Sequence, residues 1–226
     1  RDRDLSFRSR LAEQWELFEE AYLFAVPSLS LSGGEAATAE AIVQRVKAAR
    51  LDPAKEWAKN IRKVEIIPPS SETLKVQIPP SKQGAQARQV QLKISRPARV
   101  KFTLSEVDQE FFGSLKSILG NAYFKNLKPE RHIEGPKAAV EMYAERLLLP
   151  MEHNPVIVFH LRKGVHFHDG HEFDAGDVKF TFDSIMNPLN FSPRISDYEP
   201  VKAVEVLNRR TVRIVYKRLY SPAFGT

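Results

Sequence analysis

A glycine turn followed by a capped, one-sided apolar helix occurs twice in this chain, and the copies register without a gap when Gly34 is set against Gly170. Thr38 then meets Asp174, and each carries the short side-chain oxygen that suits a helix N-cap. Ala39 meets Ala175, Ile42 meets Val178 and Val46 meets Phe182, so the apolar positions fall at the same helical angles in both copies. Upstream, Phe24 faces Phe159 with an offset of one residue. Downstream, Lys63-Val64-Glu65-Ile66 corresponds to Ala203-Val204-Glu205-Val206, and Thr73-Leu74-Lys75-Val76 to Thr211-Val212-Arg213-Ile214. A matched order of strand, turn, helix and hairpin at a spacing of about 136 residues predicts an internal duplication, with a period longer than that of a solenoid. On this reading residues 1–150 are a degenerate first copy with inserted strands and helices. Residues 151–226 are a second copy cut off at Thr226, and the two pack as one lobe.

The elements between these landmarks are read from apolar periodicity. Leu11 to Leu17 and Tyr22 to Val26 are expected as two strands of a hairpin joined by the acidic stretch at Glu19-Glu20. The first helix should end near Leu51-Asp52-Pro53. Val64 to Ile66 and Leu74 to Ile78 read as a second hairpin around Pro68-Pro69-Ser70-Ser71, followed by a Pro/Ser/Gly-rich connector from Pro79 to Gly84. Val90 to Ile94 and Val100 to Leu104 alternate as strands. Ser105 is expected to cap a helix carrying Val107, Phe111, Leu115 and Ile118 that Gly120 closes, and a further helix starts at Pro136 and runs through Val140, Tyr143 and Leu147. Turns are expected at Pro150 and Pro155. Val156 to Leu161 reads as an apolar strand, Val165 and Phe167 alternate with histidines as a strand would, and Asp169-Gly170 turns the chain. The helix capped by Asp174 carries Ala175, Val178, Phe182 and Ile185 on one face and stops at Asn187-Pro188. Val204 to Val206 and Val212 to Tyr216 form a last hairpin around Asn208-Arg209-Arg210.

With 226 residues, 42% of them apolar, the chain can bury a sizeable core. No run of about 18 apolar residues occurs, and the opening Arg1-Asp2-Arg3-Asp4 has no signal-peptide core. Cysteine is absent, which removes disulfides and thiolate chemistry. The net charge of +6 is dispersed among acids rather than blocked, so it reads as a solvated surface and not as a nucleic-acid face.

His160, His166, His168 and His171, with Asp169 and Glu172, are the densest metal-type grouping. On a strand His166 and His168 would share a face, which makes a metal-dependent hydrolase the competing function. Such an enzyme needs further ligands and a general base on other strands, and no catalytic residue, metal site or cofactor is assigned. Glu13 with Glu16, and Glu19 with Glu20, read as exposed acids on the first hairpin.

Phe159-His160-Leu161-Arg162-Lys163-Gly164-Val165-His166-Phe167-His168-Asp169-Gly170 resembles the signature stretch of the extracellular solute-binding proteins of dipeptide, oligopeptide and nickel ABC importers, family five. The resemblance continues through Phe173-Asp174-Ala175-Gly176-Asp177-Val178, Val204-Glu205-Val206 and Thr211-Val212-Arg213-Ile214 to Tyr220-Ser221-Pro222. Leu11-Ala12-Glu13-Gln14-Trp15-Glu16 is similar to the family's strand entry, at a far longer distance from the signature than is usual there. Leu127-Lys128-Pro129-Glu130-Arg131-His132-Ile133 is faintly similar to a later family element. The resemblance implies an α/β fold: a mixed-sheet lobe of a periplasmic-binding-protein-like type II architecture, here incomplete. It implies a non-enzymatic, monomeric receptor, periplasmic or extracellular and open to membrane anchoring, that captures peptide or another small-molecule solute and hands it to an ABC permease. The signature residues themselves read as structural. Family cleft residues lie after the helix, which selects Tyr198, Arg194 and Phe191 as ligand-binding candidates.

Overall fold

The computed structural model describes residues 11–78 and 88–218. The opening acid–base run, the connector expected at Pro79 to Gly84 and the stretch Tyr220-Ser221-Pro222 lie outside the described residues. The fold is mixed α/β, and the chain divides into two compact units. The central unit comprises Ala21–Leu104 and Asp108–Glu152. The other, called the C-terminal unit below, takes the chain from His153 onward together with everything up to Glu20 and Ser105–Val107. Neither unit is therefore a contiguous half of the sequence.

The first element corrects an expectation. Instead of a hairpin, Ala12–Phe24 is one strand, β1. Phe18-Glu19-Glu20-Ala21 contains no glycine, proline or asparagine able to reverse the chain. The two acids are also buried, Glu19 at 2% and Glu20 at 5% exposure, where a hairpin tip would leave them in water.

In the central unit the end of β1 leads through a glycine turn to α1 (Ala39–Leu51), a short α2 (Glu56–Lys59) and β2 (Ile61–Ile67). Thr38 caps α1, its hydroxyl accepting from the Ala41 amide at 3.2 Å, and Ala39, Ile42, Val46 and Ala49 are buried on one stripe, as the periodicity predicts. Beyond β2 the expected second hairpin does not form. β3 (Ser70–Ile78) pairs with β4 (Arg88–Arg96), while β2 pairs with β5 (Arg99–Leu104). The pairing is nested: Ile67 sits opposite Arg99 and Ser70 opposite Arg96, so both chains advance in step across the interruption. One long ribbon is cut into two sheets where Pro68-Pro69 faces Pro97, because proline has no amide to donate to the ladder.

Then follow α3 (Phe111–Leu119), α4 (Asn121–Lys125), β6 (Ile133–Glu134) and α5 (Lys137–Leu147). The α3 helix starts at Phe111, with Glu110 and not Ser105 at its N-cap position; Phe111, Leu115 and Leu119 are buried, and Gly120 closes it at φ 85°. Two sheets result in this unit, β2-β5-β1 and β3-β4-β6. The Tyr123 hydroxyl donates to the Phe24 carbonyl inside the core, and burial pushes that phenol well above its ordinary range.

The C-terminal unit is built on β7 (Met151–Leu161), α6 (Ala175–Met186), α7 (Ile195–Tyr198), β8 (Val201–Asn208) and β9 (Thr211–Tyr216), with sheet order β1-β7-β9-β8. Pro155 does not turn the chain: it lies within β7, one residue before Val156, where the ladder to β9 begins. The β8–β9 hairpin closes at Asn208-Arg209-Arg210 as expected, with Glu205 opposite Arg213. Asp174 caps α6 with a full capping box, accepting from Gly176 at 2.7 Å while Asp177 accepts from the Asp174 amide at 2.9 Å.

The local geometry of the two units repeats. Ser30 bridges Ala36, and His166 bridges Glu172. The amides of Leu31, Gly34 and Ala37 donate to the carbonyls of Glu35, Leu31 and Leu29; those of Phe167, Gly170 and Phe173 donate to His171, Phe167 and Val165. Gly34 and Gly170 share φ values of 86° and 87°, a left-handed conformation that favours glycine. The Ala25 amide meets the Ala98 carbonyl, and the Leu161 amide meets Arg210. Both β2 and β8 carry an irregularity near their start, between Ile61 and Lys63 and between Val201 and Ala203. The strand that pairs with β2 is β5, not the β3 that follows it in the chain.

Candidate functional site

Within the C-terminal unit the α6 helix leaves a cavity of about 270 Å³ against its sheet. Val178, Thr181 and Phe182 supply the helix side, Val201, Val204, Ile214 and Tyr216 the strand side, and Leu11, Phe173 and Tyr198 the rim. The sheet residues point inward because alternate positions of β8 and β9 share a face. The lining is almost wholly apolar. It can desolvate a nonpolar group but offers few donors or acceptors to orient a polar one.

Tyr198, selected from sequence, is half-buried at this rim, its ring edge-on to Phe182 at 6.2 Å. The Arg194 guanidinium lies 5.7 Å from the Tyr198 ring centroid, and its Nε donates to Asp197 at 3.2 Å. The structure thus brings Tyr198 and Arg194 together. Phe191 closes the short helical turn Pro188–Asn190 at φ 46° and is 87% exposed. The pocket lining was legible in sequence only as core, since Val178, Phe182, Val204 and Ile214 fall on regular apolar stripes.

The histidines do not assemble. Val165 to Phe167 holds a single isolated bridge at His166 rather than a strand, and His168 lies in the following turn, so the two histidines gain no common sheet face. His160 Nε2 lies 3.1 Å from Glu16, His166 Nδ1 3.0 Å from the Gly164 carbonyl, and His171 stacks on Phe167 and sits 3.8 Å from Asp177. Among the described residues no three His, Asp or Glu side chains are grouped to hold a metal ion.

Sequence reasoning missed a charged group inside the sheet. Glu19 meets His153 Nδ1 at 2.6 Å, and Glu20 pairs with Arg213, which also donates to Glu205 at 2.6 Å. Burial pulls the Arg213 guanidinium down, but Glu20 and Glu205 outweigh it and hold the group above its ordinary value. The signal was present as Glu205 opposite Arg213 in the hairpin; the third member required knowing that β1 is one strand.

The sequence profile of the bacterial extracellular solute-binding proteins, family 5, matches residues 139–226, which include the whole of this site apart from Leu11. Residues 139–226 are similar to that family. The chain is 41% identical over 61 residues to a glutathione-binding protein GsiB of Salmonella paratyphi A, and 34% identical over the same length to the Escherichia coli K12 protein of that name. Each alignment covers 27% of this chain and 12% of the relative. A crystal structure of NikZ from Campylobacter jejuni in complex with Ni(L-His) is 42% identical over 30% of this chain and 14% of that one, with a TM-score of 0.29. The chain thus spans about an eighth of the length of the curated relatives it matches. No helix among its described residues is long and apolar enough to cross a membrane.

Proposed function

We propose that this chain is part of the substrate-binding component of an ABC importer, which captures a peptide-like solute outside the cytoplasmic membrane and delivers it to a permease. The observation that carries the reading is the family-5 match over residues 139–226, a range that includes the Phe159 to Gly170 stretch. The relatives named for glutathione and for a nickel–histidine complex favour peptide-like and amino-acid-chelate solutes as candidates. The protein binds without covalent chemistry, as a monomer, in the periplasm or at the outer surface. Extended peptides are recognised through their backbone groups with side chains in roomy pockets, which gives affinity with broad sequence tolerance.

The solute is assigned to the surface after α6, with Arg194 meeting a carboxylate and Tyr198 and Phe191 offering aromatic faces. The test is calorimetry on the intact gene product with glutathione, a di- to pentapeptide library and nickel–histidine. At least one class should bind with micromolar affinity, and Arg194→Ala or Tyr198→Ala should weaken it about tenfold. Failure of all three classes to bind the folded protein would overturn the assignment.

A further inference from the structure

The C-terminal unit uses the chain up to Glu20 and takes it up again at His153. Within that unit the two ends of the interruption lie side by side: the buried Glu19 carboxylate meets His153 Nδ1 at 2.6 Å. Further along the same pair of strands the Arg162 amide donates to the Leu11 carbonyl at 3.0 Å. The central unit closes on itself in a similar way, since its first and last segments meet where the Phe24 amide donates to the Pro150 carbonyl at 3.0 Å.

The apolar cores divide along the same line. Among the described residues the largest buried cluster runs from Ala21 to Leu148, with Met151 packed against it. The C-terminal unit has clusters of its own, to which Leu17 and Phe18 contribute from the far side of residues 21–152: Leu17 packs with Ile157 and Val212, and Phe18 with Val156. A unit whose apolar side chains are buried by its own elements can stay folded while another part of the chain opens. The candidate solute contacts fall on one side of this division. Phe191, Arg194 and Tyr198 lie in residues 187–200, between α6 and β8. The connection from α1 to β2 in the central unit is shorter, residues 52–60, and Ala58, as far before β2 as Tyr198 is before β8, is fully buried.

We propose that the C-terminal unit is a discontinuous domain made of residues 11–20 and 153–218, and that residues 21–152 are an autonomous module inserted between Glu20 and His153. Ser105–Val107, between β5 and α3, is the one stretch of the insert grouped with the C-terminal unit. Resting on the solute reading, capture then belongs to the discontinuous domain and the insert is accessory to it; the domain organisation itself does not depend on that reading.

Hydrogen exchange in the natural full-length gene product, followed by mass spectrometry without added solute, tests the assignment. Phe111→Ala removes a fully buried ring that meets Phe102 at 5.2 Å and Trp57 at 5.9 Å. Exchange across α1, β2 and β5 should accelerate by roughly tenfold or more, while α6, β8 and β9 stay within about twofold of the parent. Val212→Ala, at a 1% exposed position of β9, should do the converse. In a third variant residues 21–152 are deleted and Glu20 is joined to His153 through Asn-Gly, a pair suited to a two-residue hairpin turn. Protection of α6, β8 and β9 should survive in it. Acceleration of both units by either substitution overturns the proposal, as does loss of that protection in the deletion variant. A protein that meets these expectations yet binds none of the solute classes would overturn the transport reading alone.

Discussion

Glu20 shows how far a single residue's environment can depart from its local sequence. Within Phe18-Glu19-Glu20-Ala21 it is one of two adjacent acids, a pattern that reads as solvated. In the fold it is 5% exposed and paired with Arg213, whose side chain is itself 15% exposed. Removing one partner of a buried pair leaves the other charge without full compensation, although Glu205 still accepts from Arg213. Glu20→Gln should therefore cost about 2 kcal/mol, less than loss of a fully isolated buried partner. Glu13→Gln, on an exposed position of the same strand, should stay within about 0.5 kcal/mol. Urea unfolding followed by circular dichroism checks both; a neutral Glu20→Gln would show that the acid is solvated after all. The candidate ligand contacts belong to the same scale. Tyr198 and Arg194 were selected by their place after a helix, and the cation-over-ring contact between them was not legible, because it depends on how the α7 turn folds back on itself.

Elements whose signals are local were read well. The N-caps Thr38 and Asp174, the glycine turns and the stops at Asp52 and Asn187 all follow from atoms within a few residues of each other. Both caps satisfy otherwise unpaired helix amides, so Thr38→Ala and Asp174→Ala should each cost about 1 kcal/mol, and Asp174 somewhat more because its capping box with Asp177 is lost. Gly170→Ala should cost a similar amount, about 1 kcal/mol, for backbone reasons alone: its φ is 87°, and an added Cβ would meet no atom within 4 Å. Thermal unfolding of the three variants measures this, and an unchanged melting temperature for Asp174→Ala would contradict the box. Strand partnership was read less well. The sequence places β2 and β3 next to each other and suggests a hairpin, but Pro68-Pro69 supplies no reversing turn, and the ribbon pairs β2 with β5 instead. The same error of adjacency produced the hairpin that β1 does not make.

For the whole molecule, the solute reading has a quantitative consequence. Affinity in an enclosing receptor comes from desolvating the ligand between two walls, and residues 1–226 span about an eighth of the relatives they match. Losing several hydrogen bonds of roughly 0.5–1.5 kcal/mol net each, with the apolar burial they accompany, takes micromolar binding toward millimolar. Calorimetry of residues 1–226 alone with the peptide library should show nothing tighter than about 100 μM. Micromolar binding by this piece would mean that the described units already hold a complete site. What the sequence determined by itself is the α/β class, the helix caps and apolar stripes, and the family signature, since each rests on side-chain chemistry at short range. Tertiary structure alone decided that β1 is one strand, that β2 pairs with β5 and not with β3, and that α6 borders an open cavity while α1 is covered by α3. Those outcomes depend on pairings between residues far apart in the chain, where the free energy of burial and of complete ladder hydrogen bonding outweighs any preference written in neighbouring residues.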